Sequence, residues 1–355
     1  MRISREFEGG NIRVISVEED RVQLECELRD TQGDWFYWAF RVQGAAGRRV
    51  TFDFSPMSRI GTFGPAVSHD LKSWAWGGEP NEDYTAFTYS FANDEDDVYF
   101  CHSLPYSTER FARFAAECGL RTEALCRSEQ GREVPMVTLG AGEEVWLFTS
   151  RHHCCESTGT YVMEGILSEL SEHPVEGVRV IAVPFMDMDG AVNGDQGKNR
   201  APHDHNRDYI DQPLYQSVRS IRELAGREKI VCMLDLHAPY HRSDSHPFAV
   251  RKNRAMRPRQ VRFGELLEQE CRADAEAFQY VVGHDLDTGV SWNKEDVMSA
   301  AATGFFAHRE GVRLCMTMET SYFGTPENPV TQEGLVRYGK CMARALKKAR
   351  AEGIC

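Results

Sequence analysis

The periodicity of the chain changes once, near residue 104, and that change limits the folds open to it. Before it, short alternating apolar runs recur between Gly- and Asp-rich turns, at 12–17, 22–26, 35–42, 49–54, 84–91 and 97–102. A period of two marks half-buried strands, and many short strands in succession suit a β-sandwich. After it, strands expected at 134–139, 145–148, 178–185, 230–236 and 314–318 alternate with helices expected at 107–118, 160–170, 215–224, 264–277 and 332–351. Ser107 and Thr331 are placed to cap the first and last of these helices. The alternation predicts an α/β domain with a mixed, mostly parallel sheet flanked by helices. The expected organisation is an all-β sandwich domain over 1–104 followed by an α/β domain over 105–355.

Charge and cysteine usage exclude several partners. Lys and Arg number 41 against 54 Asp and Glu, a net charge of -13, which disfavours nucleic acid and anionic membrane surfaces. No apolar run approaches the roughly 18 residues of a membrane-spanning helix. The 11 cysteines are odd in number, include the neighbours Cys154 and Cys155, and form no C-x-x-C pair, so a zinc finger is not expected. With no apolar signal region behind Met1, the thiols read as reduced and the protein as cytoplasmic. The oligomeric state is left open.

Three strands end in groups able to do chemistry. The strand at 145–148 runs into Arg151-His152-His153-Cys154-Cys155-Glu156, and a helix follows. His153-x-x-Glu156 sets an imidazole and a carboxylate on one side of a turn, enough for two ligands of one metal. The spacing alone is common, and its competing reading is a surface histidine with a first-turn glutamate favoured by the helix dipole. The strand at 230–236 ends at His237, and Pro239 opposes a zincin-type helix pairing it with His241. Asp235 is a second candidate on that strand. Two His and one Glu form a known catalytic zinc set with a position left for water. The strand at 314–318 delivers Glu319, either an ordinary strand-end carboxylate or a base beside the metal. In open α/β sheets, ligands bind beyond the carboxyl ends of the strands. Between these strands a polar loop at 187–209 carries Arg200, Asn206 and Arg207, groups that hold carboxylates or sit in solvent. It also carries His203, Asp204 and His205, a weaker candidate cluster. Residues 251–262 are rich in Arg, either a solvated loop or a wall for an acidic substrate.

Taken in order, His153/Glu156, Pro184 to Gly190, Arg200, Asp204 to Arg207, His237 and Glu319 resemble the motifs of the zinc metallocarboxypeptidases. The segments at 34–42 and 97–106 are similar to the β-domain of the cytosolic carboxypeptidase branch. The resemblance implies a catalytic domain over 105–355 and one zinc ion held by His153, Glu156 and His237. It implies Glu319 as the base that takes a proton from water, and Arg200 as the group polarising the scissile carbonyl. It implies Asn206 and Arg207 as holders of the terminal carboxylate of a peptide or protein tail. The expected activity is hydrolysis of C-terminal residues, with acidic (Glu) termini suggested by the basic stretch. A zinc amidase or deacylase on a small acylated amino acid, or a non-catalytic zinc-binding module, are the alternatives. Two departures stand out. Cys154-Cys155 occupies the interior of the metal motif, and no Tyr lies in 283–292, where the family's substrate-capping Tyr is expected.

Overall fold

The computed structural model describes residues 1–240, 245–294 and 298–355. His241 lies outside them. The first ten strands form two five-stranded sheets. One runs β1 (Arg2–Ser4), β4 (Ala39–Gln43), β10 (Asp97–Cys101), β6 (Ala66–Ser68) and β7 (Ala75–Trp76). The other runs β2 (Arg13–Val17), β3 (Arg21–Glu25), β5 (Arg49–Asp53), β9 (Ala86–Ser90) and β8 (Glu79–Pro80). Residues on their facing sides meet in an aromatic core of Trp38, Phe40, Phe52, Phe87 and Phe100. Residues 35–38, expected as strand, precede β4 and belong to no strand. Their aromatic rings turn to both domains: Trp38 enters the sandwich core, while Phe36 packs with Ala238, Tyr322 and Phe323.

The second unit is built on a seven-stranded sheet. Its order is β11 (Thr122–Arg127), β12 (Glu133–Gly140), β14 (Val178–Val183), β13 (Glu144–Ser150), β15 (Lys229–His237), β17 (Leu314–Glu319) and β16 (Phe248–Arg251). The four central strands are parallel and the flanking ones antiparallel. Side chains alternate between two cores. Trp146 and Phe148 face α2 (Thr158–Glu172), α5 (Arg257–Ala273) and α7 (Gln332–Ala351); Val145 and Leu147 face α4 (Gln216–Arg227) and α6 (Ala302–Phe306). Burial on both faces explains why these strands read as continuous apolar runs. Ser107 Oγ accepts from Arg110 N at 3.1 Å to start α1 (Thr108–Glu117), and Thr331 Oγ1 accepts from Gly334 N at 2.9 Å to start α7. No helix among the described residues is long and apolar enough to cross a membrane.

Arg251, Arg257 and Arg262 of the basic stretch form neither a solvated loop nor a wall. The stretch comprises the end of β16 and the first turns of α5, which begins at Arg257 and not near 264. Arg251 is buried against Asp285 and Asp287 at 2.5 and 2.8 Å, Arg257 meets Asp287 at 2.8 Å, and Arg262 meets Glu352 at 2.8 Å. Their charge is spent on the protein's own carboxylates.

At the opposite end of the sheet from the strands' carboxyl termini, Glu144 gathers Arg313, Arg350 and Lys229. Burial pushes its carboxyl up, but the three cations outweigh this and hold it at about 2 against an ordinary 4.5. A depressed carboxyl stabilises the fold above its unfolded pKa and stops doing so as pH falls through the folded one. Glu144→Gln is therefore expected to cost about 1–3 kcal/mol at neutral pH. Thermal melts should show the deficit closing between about pH 4.5 and 2. An equal deficit at both ends of that range would remove the electrostatic account.

Candidate active site

The parallel register brings the strand ends to one edge: Ser150 pairs with Leu236, and His237 with Glu319. After β13 the chain turns sharply at Arg151, whose φ is 63°, and this lays His153 and Glu156 over the edge before α2 begins. His153 Nδ1 lies 3.0 Å from Glu156 Oε1, and His237 Nδ1 lies 2.7 Å from Glu156 Oε2. Both imidazoles thus turn Nδ1 inward. Behind them, His237 Nε2 meets Asp235 Oδ2 at 2.7 Å and His153 Nε2 faces Asp204 Oδ1 at 3.6 Å. On His237 the outer carboxylate is within hydrogen-bond distance and fixes the tautomer that leaves the inner nitrogen as a donor to metal, while Asp204 stands just beyond that distance from His153.

One donor atom from each of His153, Glu156 and His237 lies within 4.8 Å of the others, so two nitrogens and a carboxylate fit a zinc ion. His152, Asp235 and His237 also converge. That second group is already closed: His152 bonds Asp235 at 2.8 Å and Tyr209 at 2.9 Å, and Thr149 donates to Asp235 at 2.7 Å. It supports the first group from behind. Burial pushes the Glu156 carboxyl up, yet Lys198, His153 and His237 together hold it well below the usual range. Burial would lower His237, but Asp235 and Glu156 raise it well above the ordinary imidazole value.

The triad opens into a cavity of about 550 Å³, also lined by Lys198, Asn206, Arg207, Tyr240, Lys252, Trp292, Thr317 and Glu319. Glu319 Oε2 is buried with no hydrogen-bond partner. Burial, with Glu156 adding to it, lifts the Glu319 carboxyl to about 7. Asn206 is anchored by accepting from Ala302 N at 2.9 Å, and Arg207 is an exposed cation at the cavity wall.

Residues 3–102 match the family model described as the cytosolic carboxypeptidase N-terminal domain. Human cytosolic carboxypeptidase 6 is 23% identical over 295 residues, 73% of this chain and 56% of its own length. The N-terminal hundred residues thus match a domain of the cytosolic carboxypeptidases, and most of the chain is similar to members of that branch. The fold agrees throughout. The metallo-carboxypeptidase of Burkholderia cenocepacia superposes with a TM-score of 0.81 at 20% identity, covering 99% of both chains. That of Pseudomonas aeruginosa, solved in complex with (2-guanidinoethylmercapto)succinic acid, gives 0.82 at 22% identity, covering 99% of this chain and all of that one. At such identities the likeness is one of fold.

Against the family's pattern, Arg200 is not among the residues lining the cavity. Its guanidinium is buried among Asp30 at 2.6 Å, Asp187 at 2.8 Å and Asp195 at 3.1 Å. The cation beside the triad is Lys198, which sequence reasoning passed over as one more polar loop residue. The one signal for it was Gly197, whose φ of 71° turns the loop there. A Cβ on Gly197 would lie 2.4 Å from Cys154 N, so only glycine lets this loop press against the metal motif. The vicinal cysteines turn away from the ligands. Cys154 donates to Asp195 O at 3.0 Å, Cys155 lies 3.8 Å from the Tyr322 hydroxyl, and burial pushes the Cys155 thiol up to about 11. His203, Asp204 and His205 do not converge. His203 meets Asp208 at 2.6 Å, and His205 stacks on Tyr215 at 3.6 Å. From the stretch 283–292 the cavity receives Trp292.

Proposed function

We propose that the protein is a zinc carboxypeptidase that removes residues from the free C-terminal ends of peptides or protein tails. The observation carrying this reading is the triad His153, Glu156 and His237, each histidine backed by an aspartate, facing a cavity that also holds Glu319. A zinc ion held by the triad supplies Lewis-acid activation of water and of the scissile carbonyl. Glu319 is the base that accepts the water's proton and returns it to the leaving amine. Arg207 and Asn206 take the terminal carboxylate, which fixes the substrate's end and makes cleavage exopeptidic. Of the basic residues at 251–262, Lys252 lines the cavity, and it supports a preference for acidic side chains.

The test is mass spectrometry of peptides differing only at the C-terminus, incubated with the zinc-loaded protein. Chelator-sensitive ladders losing one residue at a time are expected. C-terminal amides should be cut about a hundredfold more slowly, from loss of a charge-assisted pair with Arg207. Glu-ended peptides should be cut faster than Leu-ended ones. Equal rates on acids and amides would overturn the assignment of Arg207, and no release from any peptide would overturn the reading.

A further inference from the structure

Lys198 is the most confined cation of the cavity. Its Nζ lies 2.5 Å from Glu156 Oε1 and 3.4 Å from Ala238 O. An ammonium has three N–H donors, so these contacts leave one for a bound molecule. On its other side stand the rings of Trp35 and Phe36, with centroids 5.4 and 5.9 Å from Nζ. Both rings come from the N-terminal domain. That domain also grips the loop carrying Lys198. Asn11 Nδ2 donates to Gly194 O at 2.6 Å, Tyr37 N donates to Gln196 Oε1 at 2.8 Å, and Gln32 N donates to Asn199 O at 3.1 Å. The loop is thus pinned on both sides of Lys198. Arg200, two residues on, points into its cage of Asp30, Asp187 and Asp195.

We propose that Lys198, steered by Trp35 and Phe36, is the group that polarises the scissile carbonyl and holds the charge developing on its oxygen, and that Arg200 instead fixes the loop. This rests on the carboxypeptidase reading above. In the step concerned, water oxygen bonds to the carbonyl carbon while Glu319 takes the water proton. The carbonyl π pair moves onto its oxygen, which accepts a hydrogen bond from Lys198 Nζ. Collapse returns that pair, breaks the C–N bond and transfers the proton from Glu319 to the amine. A preorganised donor at a developing oxyanion acts mainly on the transition state. The N-terminal domain then has a part in catalysis, because two of its rings form the wall that aims the lysine.

The experiment compares Lys198→Met, Lys198→Arg and Trp35→Leu with wild type. Four quantities are measured: metal content, kcat and KM on a trimmed peptide, and calorimetric affinity for a peptide phosphonate that mimics the tetrahedral anion. Lys198→Met is expected to lower kcat by about 10²–10³-fold. KM and metal content should stay close to wild type, and phosphonate affinity should fall by a similar factor. Lys198→Arg should recover part of both. Trp35→Leu should lower kcat about tenfold and add nothing in the Lys198→Met background, which a merely structural defect would not do. Wild-type kcat and phosphonate affinity in Lys198→Met would overturn the proposal. So would their loss in Arg200→Gln alone with metal retained. In either case trimming by the wild type leaves the carboxypeptidase reading standing, whereas a wild type that trims nothing takes both down.

Discussion

Glu319→Gln is expected to lower kcat about a thousandfold while leaving the metal content unchanged. The carboxylate is not one of the triad, so the amide should not disturb metal binding. It removes the only acid–base group that the strand end of β17 presents to the cavity. General-base catalysis is worth about 10²–10⁴-fold, and the partnerless buried oxygen argues against the lower end of that range. The sign of the pH dependence follows. Only the ionised carboxylate accepts a proton, so the rate falls as pH drops through its pKa. Burial places that value at about 7 without a metal, and a neighbouring dication draws it down. The acid limb of kcat/KM therefore lies at or below about pH 7, and the residual rate of the variant lacks it. Wild-type rates in Glu319→Gln would remove the residue from the mechanism.

The second large effect concerns stability. Helices α2 and α7 cross with their backbones in contact at Gly165 and Gly339. A Cβ on Gly165 would lie 1.9 Å from Val336 O and 2.9 Å from Gly339 Cα, and one on Gly339 would lie 2.0 Å from Val162 O. Glycine inside a helix costs about 1 kcal/mol relative to alanine, so its presence at both facing positions reflects the closeness of the crossing. No rotamer relieves a clash with backbone. Gly165→Val is expected to destabilise the protein by about 4 kcal/mol or more, at the exceptional end for single substitutions. At about 2.1 cal/mol/K per residue, that lowers the melting temperature by roughly 5 °C. Gly226 in α4 is the control: a Cβ there meets nothing within 4 Å. Gly226→Ala should stabilise by about 0.5–1 kcal/mol. Equal melting of Gly165→Val and wild type would show that the crossing can open at little cost.

Much of this site was legible in the sequence because it hangs on three buried strands. Two read as an apolar run closed by an ionisable residue, His237 or Glu319, and the third runs through a turn into His153 and Glu156; burial on both faces makes such runs unmistakable. What the sequence could not show is which loop cation faces the metal group. That is settled by carboxylates remote in the chain. Asp30, in the N-terminal domain, and Asp187 and Asp195 claim Arg200, and leave the inward place to Lys198. The same holds at 251–262, where Asp285, Asp287 and Glu352 absorb the arginines that composition offered to a substrate. Residues 35–38 were read as strand from their apolar content. Their rings face two domains at once, a demand that no local period expresses.

His237 and Glu319 are rung partners on neighbouring parallel strands. Their backbones stand one interstrand spacing apart, about 4.8 Å. That distance is a property of the peptide unit and does not depend on the side chains or loops around it. The reactive spacing is in effect ruled by the sheet, while Lys198 and Trp292 arrive on loops and Arg207 on a single helical turn, none of which obeys such a measure. Changes in the segments that bring those residues can therefore alter what the cavity accepts while the backbone spacing of His237 and Glu319 stays as the sheet sets it.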